Sequence, residues 1–211
     1  MRKVFLNIMI LSKIVHTLYS SNDFELVNEA YELPTSYIIE NNVEDGEEIT
    51  VITCVEKTAN RDGIAEKNYE QFVQEVEHIA EKHKLKVVYD VIPMSSDFDR
   101  TTFNYFFKDV ALRLHEGDEL YFDLTFGMKP YNISMFIAVA YAVKACRNAT
   151  IACAFYSQKF NGSRSAKGVF ESRIYDLTGL MFLSDFAGKV QAGDKELADN
   201  MLMAMMPEGE V

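Results

Sequence analysis

The chain predicts an α/β protein of the Rossmann-like, doubly wound class: a mainly parallel sheet with a C-terminal edge hairpin and a helical tail. Three observations predict it. Short β-branched or apolar runs alternate with longer segments of helical periodicity through residue 176. Two connections, Gly46-Glu-Glu-Ile and Gly117-Asp-Glu-Leu, place a glycine just before a strand, as a left-handed helix end does. One segment, Y-F-D-L-T-F-G-M-K-P-Y at residues 121–131, runs a strand through a glycine turn into a helix. With 211 residues, 48% of them hydrophobic and 25% charged, the chain is long enough to bury roughly 70% of its unfolded surface.

Residues 4–11, V-F-L-N-I-M-I-L, read as a first buried strand. The basic start and apolar run mimic a secretory signal, but the run is interrupted by Asn7 and lacks a small-residue cleavage site. A polar, irregular stretch follows through Asn22, then a short helix opening near Pro34, a region that Gly46 ends. Residues 48–55, E-I-T-V-I-T-C-V, are β-branched and read as a strand. In residues 64–84, Ile64, Phe72, Val73, Val76, Ile79 and Ala80 recur at helical spacing, with lysines and glutamates forming a solvated face.

Residues 85–92 give a third strand. Residues 101–115 give a helix with Phe103, Phe106, Phe107, Val110, Ala111 and Leu114 inward, and residues 120–125 a fourth strand. The helix at 130–146 is nearly all apolar, so it packs on two sides, one of which suits a partner subunit. Residues 149–156 and 169–176 are two further strands, close enough for a hairpin at the sheet edge, and the chain reads as helical after Leu177. Residues 1–176 thus form a ligand-binding domain, and 177–211 a helical extension serving as linker or dimerisation element.

In such sheets ligands sit beyond the carboxyl ends of the strands, where the strand order reverses. The loops after the first and fourth strands therefore meet, bringing residues 11–13 near 125–129. In that turn Thr125 offers a hydroxyl, Gly127 a close backbone approach and Lys129 a flexible cation, with Pro130 at the expected first helical position. The spot suits an anion, phosphate foremost. Ser12 and Lys13 face it from the first loop. Neither G-x-G-x-x-G nor G-x-x-x-x-G-K-[ST] occurs.

The net charge of −11 argues against binding a long nucleic acid, which needs a basic face. No stretch reaches the roughly 20 apolar residues of a membrane helix. Cys54, Cys146 and Cys153 lie in apolar runs without metal-ligand spacing and read as free thiols of a cytoplasmic protein; neither a metal nor a cofactor is expected. His78 and His83 sit on the charged helix and His115 at a helix end, in surface or capping roles, while His16 lies in the loop after the first strand. Lys159, Arg164 and Lys167 form a cationic hairpin loop, and Met201, Met203, Met205 and Met206 an apolar helix face for packing or for a partner chain.

The strand, the D-L-T-F-G-M-K turn and the apolar helix, followed by the edge hairpin and Ile174-Tyr-Asp-Leu-Thr-Gly-Leu-Met, resemble the CRISPR-associated Rossmann-fold (CARF) sensor domains. The resemblance is to the branch often fused to HEPN ribonucleases and spans roughly residues 1–190. It implies a homodimer holding a cyclic oligoadenylate, cyclic tetra-adenylate foremost, across its two-fold axis in type III CRISPR defence. Thr125, Gly127 and Lys129 would be the signature turn, and Ser12 and Lys13 the first-strand loop. Phe126, Met128 and Tyr131 would offer surfaces to adenines. Two departures stand out: Phe126 replaces the family's usual His or Asn, and Ile10-Leu11-Ser12 lacks its glycine.

No histidine carries the HEPN spacing R-x4-6-H, and the tripeptide E-x-K does not occur. The resemblance leaves a free-standing sensor, a sensor separated from an effector domain or protein, or a metal-independent ring nuclease, with Lys129 and Ser12 as its catalytic candidates. A mononucleotide-binding protein or enzyme outside CRISPR defence is the alternative.

Overall fold

The computed structural model describes residues 1–24, 29–57, 63–95, 97, 99–164, 169–190, 193 and 195–205, with the backbone alone at 159–164 and 205. In chain order the elements are β1 (Arg2–Ile8), β2 (Thr17–Ser20), β3 (Ala30–Tyr31), α1 (Pro34–Asn42), β4 (Glu48–Glu56), α2 (Ile64–His83), β5 (Lys86–Met94) and α3 (Arg100–Ala111). They continue with β6 (Asp118–Asp123), α4 (Lys129–Ala145), β7 (Thr150–Arg164), β8 (Phe170–Asp176), α5 (Thr178–Lys189) and α6 (Lys195–Met205). The chain divides into two compact units, Met1–Thr178 and Gly179–Val211.

The first unit is the expected α/β layer structure. Its single eight-stranded sheet has the order β3-β2-β8-β7-β6-β1-β4-β5. Pairing is parallel except for β2 with β3 and β7 with β8. From β1 the chain builds outward through β4 and β5, then returns to place β6 and β7 on the opposite side. The strand order therefore reverses between β1 and β6, which is where a doubly wound sheet opens a crevice at its carboxyl edge.

Side-chain alternation along the central strands feeds two cores. Phe5 and Tyr121, register partners on β1 and β6, stack at 4.6 Å on the face covered by α1 and α2. Val51, Val55, Phe72, Val76, Ile38 and Ile39 pack around them. On the other face Phe122 meets Phe136 of α4 at 6.4 Å. Tyr131 of α4 lies edge-on to Phe103 and Phe106 of α3, which joins these helices into one layer. Burying such ring pairs adds roughly 0.5–1.5 kcal/mol each beyond their area.

The expected unbroken alternation of strand and helix fails between β1 and α1. The stretch read as irregular contains β2, and β3 follows it. Thr17 to Ser20 is too short for its alternation to stand above a loop composition. What makes it a strand is its parallel pairing with β8 and the packing of Tyr19 against Tyr37, with ring centroids 5.8 Å apart. The β7–β8 hairpin forms as expected but is not the sheet edge, because β2 and β3 extend the sheet beyond it.

The two glycine connections do share a device, though a different one from helix capping. α1 ends at a Val43 cap and α3 at Leu112. Gly46 N–H instead donates to His83 O at 2.8 Å, and Gly117 N–H to Arg147 O at 3.0 Å. Each turn thus ties the start of a strand to the end of a different helix. Cys54 and Cys153 are buried free thiols, and Cys146 is a partly buried one. No helix among the described residues is long and apolar enough to cross a membrane.

In the second unit α5 and α6 are helical as expected. Met201 and Met203, read as part of a packed face, are exposed on α6. The side chain of Met205, and Met206 altogether, lie outside the described residues, as do the side chains of Lys159 and Arg164 and the whole of Lys167.

Candidate functional site

β6 ends at Asp123, and after five intervening residues α4 begins, capped by Met128 without a side-chain hydrogen bond. Lys129 is the first helical residue and Pro130 the second, one position later than expected for proline; its missing N–H costs nothing there either. Through this turn the N–H groups of Phe126, Gly127, Met128 and Lys129 donate to no group among the described residues. Four consecutive free donors at the start of a 17-residue helix make a concentrated positive potential.

Gly127 is required here by both conformation and space. Its φ is +90°, and a Cβ at this position would lie 2.7 Å from Cγ2 and 3.0 Å from Cδ1 of Ile8. The glycine lets the turn settle directly on the end of β1. That contact places the loop after β1 beside the loop after β6.

The turn is fixed from behind by Asp123. This carboxylate is 1% exposed, accepts from Thr125 N–H at 2.7 Å and from the Thr35 hydroxyl at 2.9 Å, and so ties the turn to the start of α1. Burial pushes its pKa up to about 6, against the downward pull of hydrogen bonds from the Thr125 hydroxyl, the Thr125 N–H and the Thr35 hydroxyl. Thr125 Oγ1 in turn accepts from Ser157 N–H at 2.8 Å, while its hydroxyl proton serves the Asp123 carboxylate. Asn132 of α4 donates to Leu124 O at 3.1 Å. From the other side, Asn68 of α2 donates to Ile10 O at 2.8 Å and Ser12 O at 2.9 Å, clamping the first loop.

Beside Asp123 lie two further buried polar groups. Asn7 and Thr53 are register partners at the carboxyl ends of β1 and β4. Both Asn7 amide atoms and Thr53 Oγ1 are without a hydrogen-bond partner among the described residues. The N-terminus of α1 is unavailable to a ligand anion, because carboxylates of the chain already serve it. Besides the Thr35 bond to Asp123, Glu32 N–H donates to Glu75 Oε1 at 2.7 Å. Burial pushes the Glu75 carboxyl upward.

Between the loops opens a cleft of 360 Å³ lined by Ile10, Ser12, Tyr19, Thr125, Phe126, Gly127, Ser157 and Ser172. The structure thus brings Ser12 together with Thr125, Phe126 and Gly127. Lys13, Met128 and Lys129 are exposed and outside that lining. Tyr131 cannot offer a surface to a ligand base: it is buried between α3 and α4, and its hydroxyl donates to Ser95 O at 2.7 Å. Asp123, Asn68, Tyr19, Ser157 and Ser172 belong to the site although sequence reasoning does not select them. A polar residue inside an apolar strand end, as at Asp123 and Ser157, is the one signal that could have found them.

A second cavity, of 430 Å³, is lined by Glu29, Glu32, Glu40 and Glu75 with His16, His78 and Lys82. Its acidic wall repels anions, and His16 faces it, 3.8 Å from Glu32, rather than the cleft. His83 pairs with Glu40 and Asp45, and His115 with Arg2, in surface roles. No group of three or more His, Cys, Asp or Glu among the described residues is arranged to hold a metal ion. No family model and no curated protein matches this chain.

Proposed function

We propose that the chain is a CARF-like sensor that binds a cyclic oligoadenylate, cyclic tetra-adenylate foremost, in type III CRISPR antiviral defence. The observation that carries this reading is the row of four free N–H groups from Phe126 to Lys129, seated by Gly127 at the point where the strand order reverses. Such a row complements phosphate oxygens, and the exposed Lys129 adds a charge beside it. The site is local, so it can take a compact polyanion although the protein carries a net charge of −11.

A four-nucleotide ring exceeds one 360 Å³ cleft, so the reading requires a homodimer whose two turns share the ligand. It is supported by Ile133, Ile137 and Tyr141 of α4, which are 59%, 52% and 54% exposed and lie at successive four-residue intervals. An apolar stripe of this kind suits a helix face that another subunit covers. In a ring nuclease, Lys129 would stabilise charge developing on a phosphate attacked in line by its neighbouring ribose 2′-oxygen, with Ser12 positioning the sugar. The cleft volume favours a second reading, a mononucleotide binder, since 360 Å³ lies near the lower end of ordinary ligand pockets.

Calorimetric titration with cyclic tri-, tetra- and hexa-adenylate beside AMP and ATP separates the two. One cyclic ligand per two chains supports the sensor, and preference for AMP or ATP supports the mononucleotide binder. Lys129→Ala should weaken cyclic tetra-adenylate binding more than tenfold, about 1.4 kcal/mol or more. Unchanged affinity in that variant would remove the turn from the binding site. Chromatography of the ligand after incubation shows whether linear products form.

A further inference from the structure

The cleft holds a feature that the anion-binding turn leaves unexplained. Five hydroxyl-bearing residues from five places in the chain line it: Ser12 after β1, Tyr19 on β2, Thr125 after β6, Ser157 on β7 and Ser172 on β8. Among the described residues no carboxylate, ammonium or guanidinium shares that lining, and the Tyr19 hydroxyl is held neutral by burial, which pushes its pKa well up. The described wall is therefore uncharged, with hydroxyls set among the apolar surfaces of Ile10, Phe126 and the Tyr19 ring, the opposite of what a phosphate seeks. It suits the neutral part of a nucleotide.

Ser172 is the anomaly in that wall. It is 1% exposed, and its Oγ has no hydrogen-bond partner among the described residues. Its backbone is immobilised by pairing with Tyr19 on one side and Lys159 on the other, and its carbonyl accepts from Ser20 Oγ. Two residues on, Ile174 occupies the same face of β8 in the apolar core. A buried hydroxyl with nothing to bond is a standing cost that alanine would avoid. Its single χ1 torsion is the freedom that would bring Oγ to the cleft that the residue lines.

We propose that Ser172 is a specificity-determining residue, whose hydroxyl bonds a neutral hydrogen-bonding group of the bound nucleotide, a ribose hydroxyl or a base edge, while the free N–H row and Lys129 take the phosphate. This rests on the nucleotide reading of the same site. Division of labour of this kind makes a pocket reject analogues lacking the group it bonds, because the buried hydroxyl is then left unpaired again.

The test is calorimetry of the wild-type protein, Ser172→Ala and Ser172→Cys with cyclic tetra-adenylate at low and high salt, with melting curves to establish that each variant is folded. Ser172→Ala should lose at least tenfold in affinity, by the same factor at both salt concentrations, since a neutral hydrogen bond is not screened. Ser172→Cys keeps the volume with a weaker donor and should fall between. Rings built with 2′-deoxyadenosine or with inosine distinguish the two possible groups: the analogue that binds poorly to wild type but no worse than the parent ring to Ser172→Ala identifies the partner. Wild-type binding with unchanged affinity in Ser172→Ala, a loss that fades at high salt, or a loss uncoupled from both analogues overturns this inference and leaves the nucleotide reading intact. Absence of binding by the wild-type protein to any of these rings and to AMP overturns both.

Discussion

Substituting Gly127 by alanine tests whether the ligand turn is held in place by its contact with β1. Two separable costs follow from the structure. The backbone at φ +90° is unfavourable for a residue with a Cβ, at about 1–2 kcal/mol. The new methyl would also lie 2.7 Å and 3.0 Å from two carbons of the buried Ile8 side chain, and overpacking of this kind costs about 1–3 kcal/mol. Gly127→Ala should therefore destabilise the protein by about 2–5 kcal/mol, measured by urea denaturation. Ile8→Ala removes both of those carbons and leaves the backbone cost with only the milder 3.2 Å approach to Cβ of residue 8, so in that background the same substitution should cost about 1–2 kcal/mol. The double-mutant cycle should then show a coupling of about 1–3 kcal/mol. An equal cost in the two backgrounds would refute the packing of the turn on Ile8, and a cost below about 1 kcal/mol would refute the left-handed conformation as well.

Asp123 makes stability depend on pH in a definite direction. Its folded pKa of about 6 lies above the ordinary 3.8, so between those values the native state keeps a proton that the unfolded chain has lost, and stability falls as pH rises through that window. Asp123→Asn cannot ionise, so its stability relative to wild type should improve by about 3 kcal/mol between pH 4 and pH 7; a difference that does not change with pH would refute the buried charge. Ile137→Asp, at the centre of the exposed α4 stripe, should convert a dimer to a monomer in sedimentation velocity while leaving helical content unchanged. A dimer that survives it would show that the stripe is not the interface.

The α/β class, six of the eight described strands and the helices α1 to α4 were legible because each carries its own local signal, while α5 and α6 were read as one helical stretch after Leu177. The apolar run of β1, the β-branched run of β4 and the 3.6-residue repeat of α2 require no knowledge of what they pack against. Boundaries moved by up to four residues, and the end of β7 by eight, from Tyr156 to Arg164, since the ends of elements respond to partners as well as to propensity. β2 and β3 were not legible, because four and two residues are too few to show a period. They exist through β8 and through the interlocked rings of Tyr19, Tyr31 and Tyr37.

The anion turn was readable in the sequence for the same reason: Thr125, Gly127, Lys129 and Pro130 are adjacent in the chain, and a helix start is a local object. Its support was not. Asp123, Thr35, Asn68, Ser157 and Ser172 come from five separate elements, and their roles depend on contacts between residues far apart in sequence, such as Thr35 with Asp123, 88 positions on. Sequence by itself determined that a strand would hand a glycine turn to an apolar helix, because steric and hydrogen-bonding preferences act within a few residues. Tertiary structure alone decided that Ile8 lies under Gly127, that an uncharged hydroxyl wall faces the turn, and that Lys13, Met128 and Lys129 stand outside that wall, because those relations follow from the order in which strands pair.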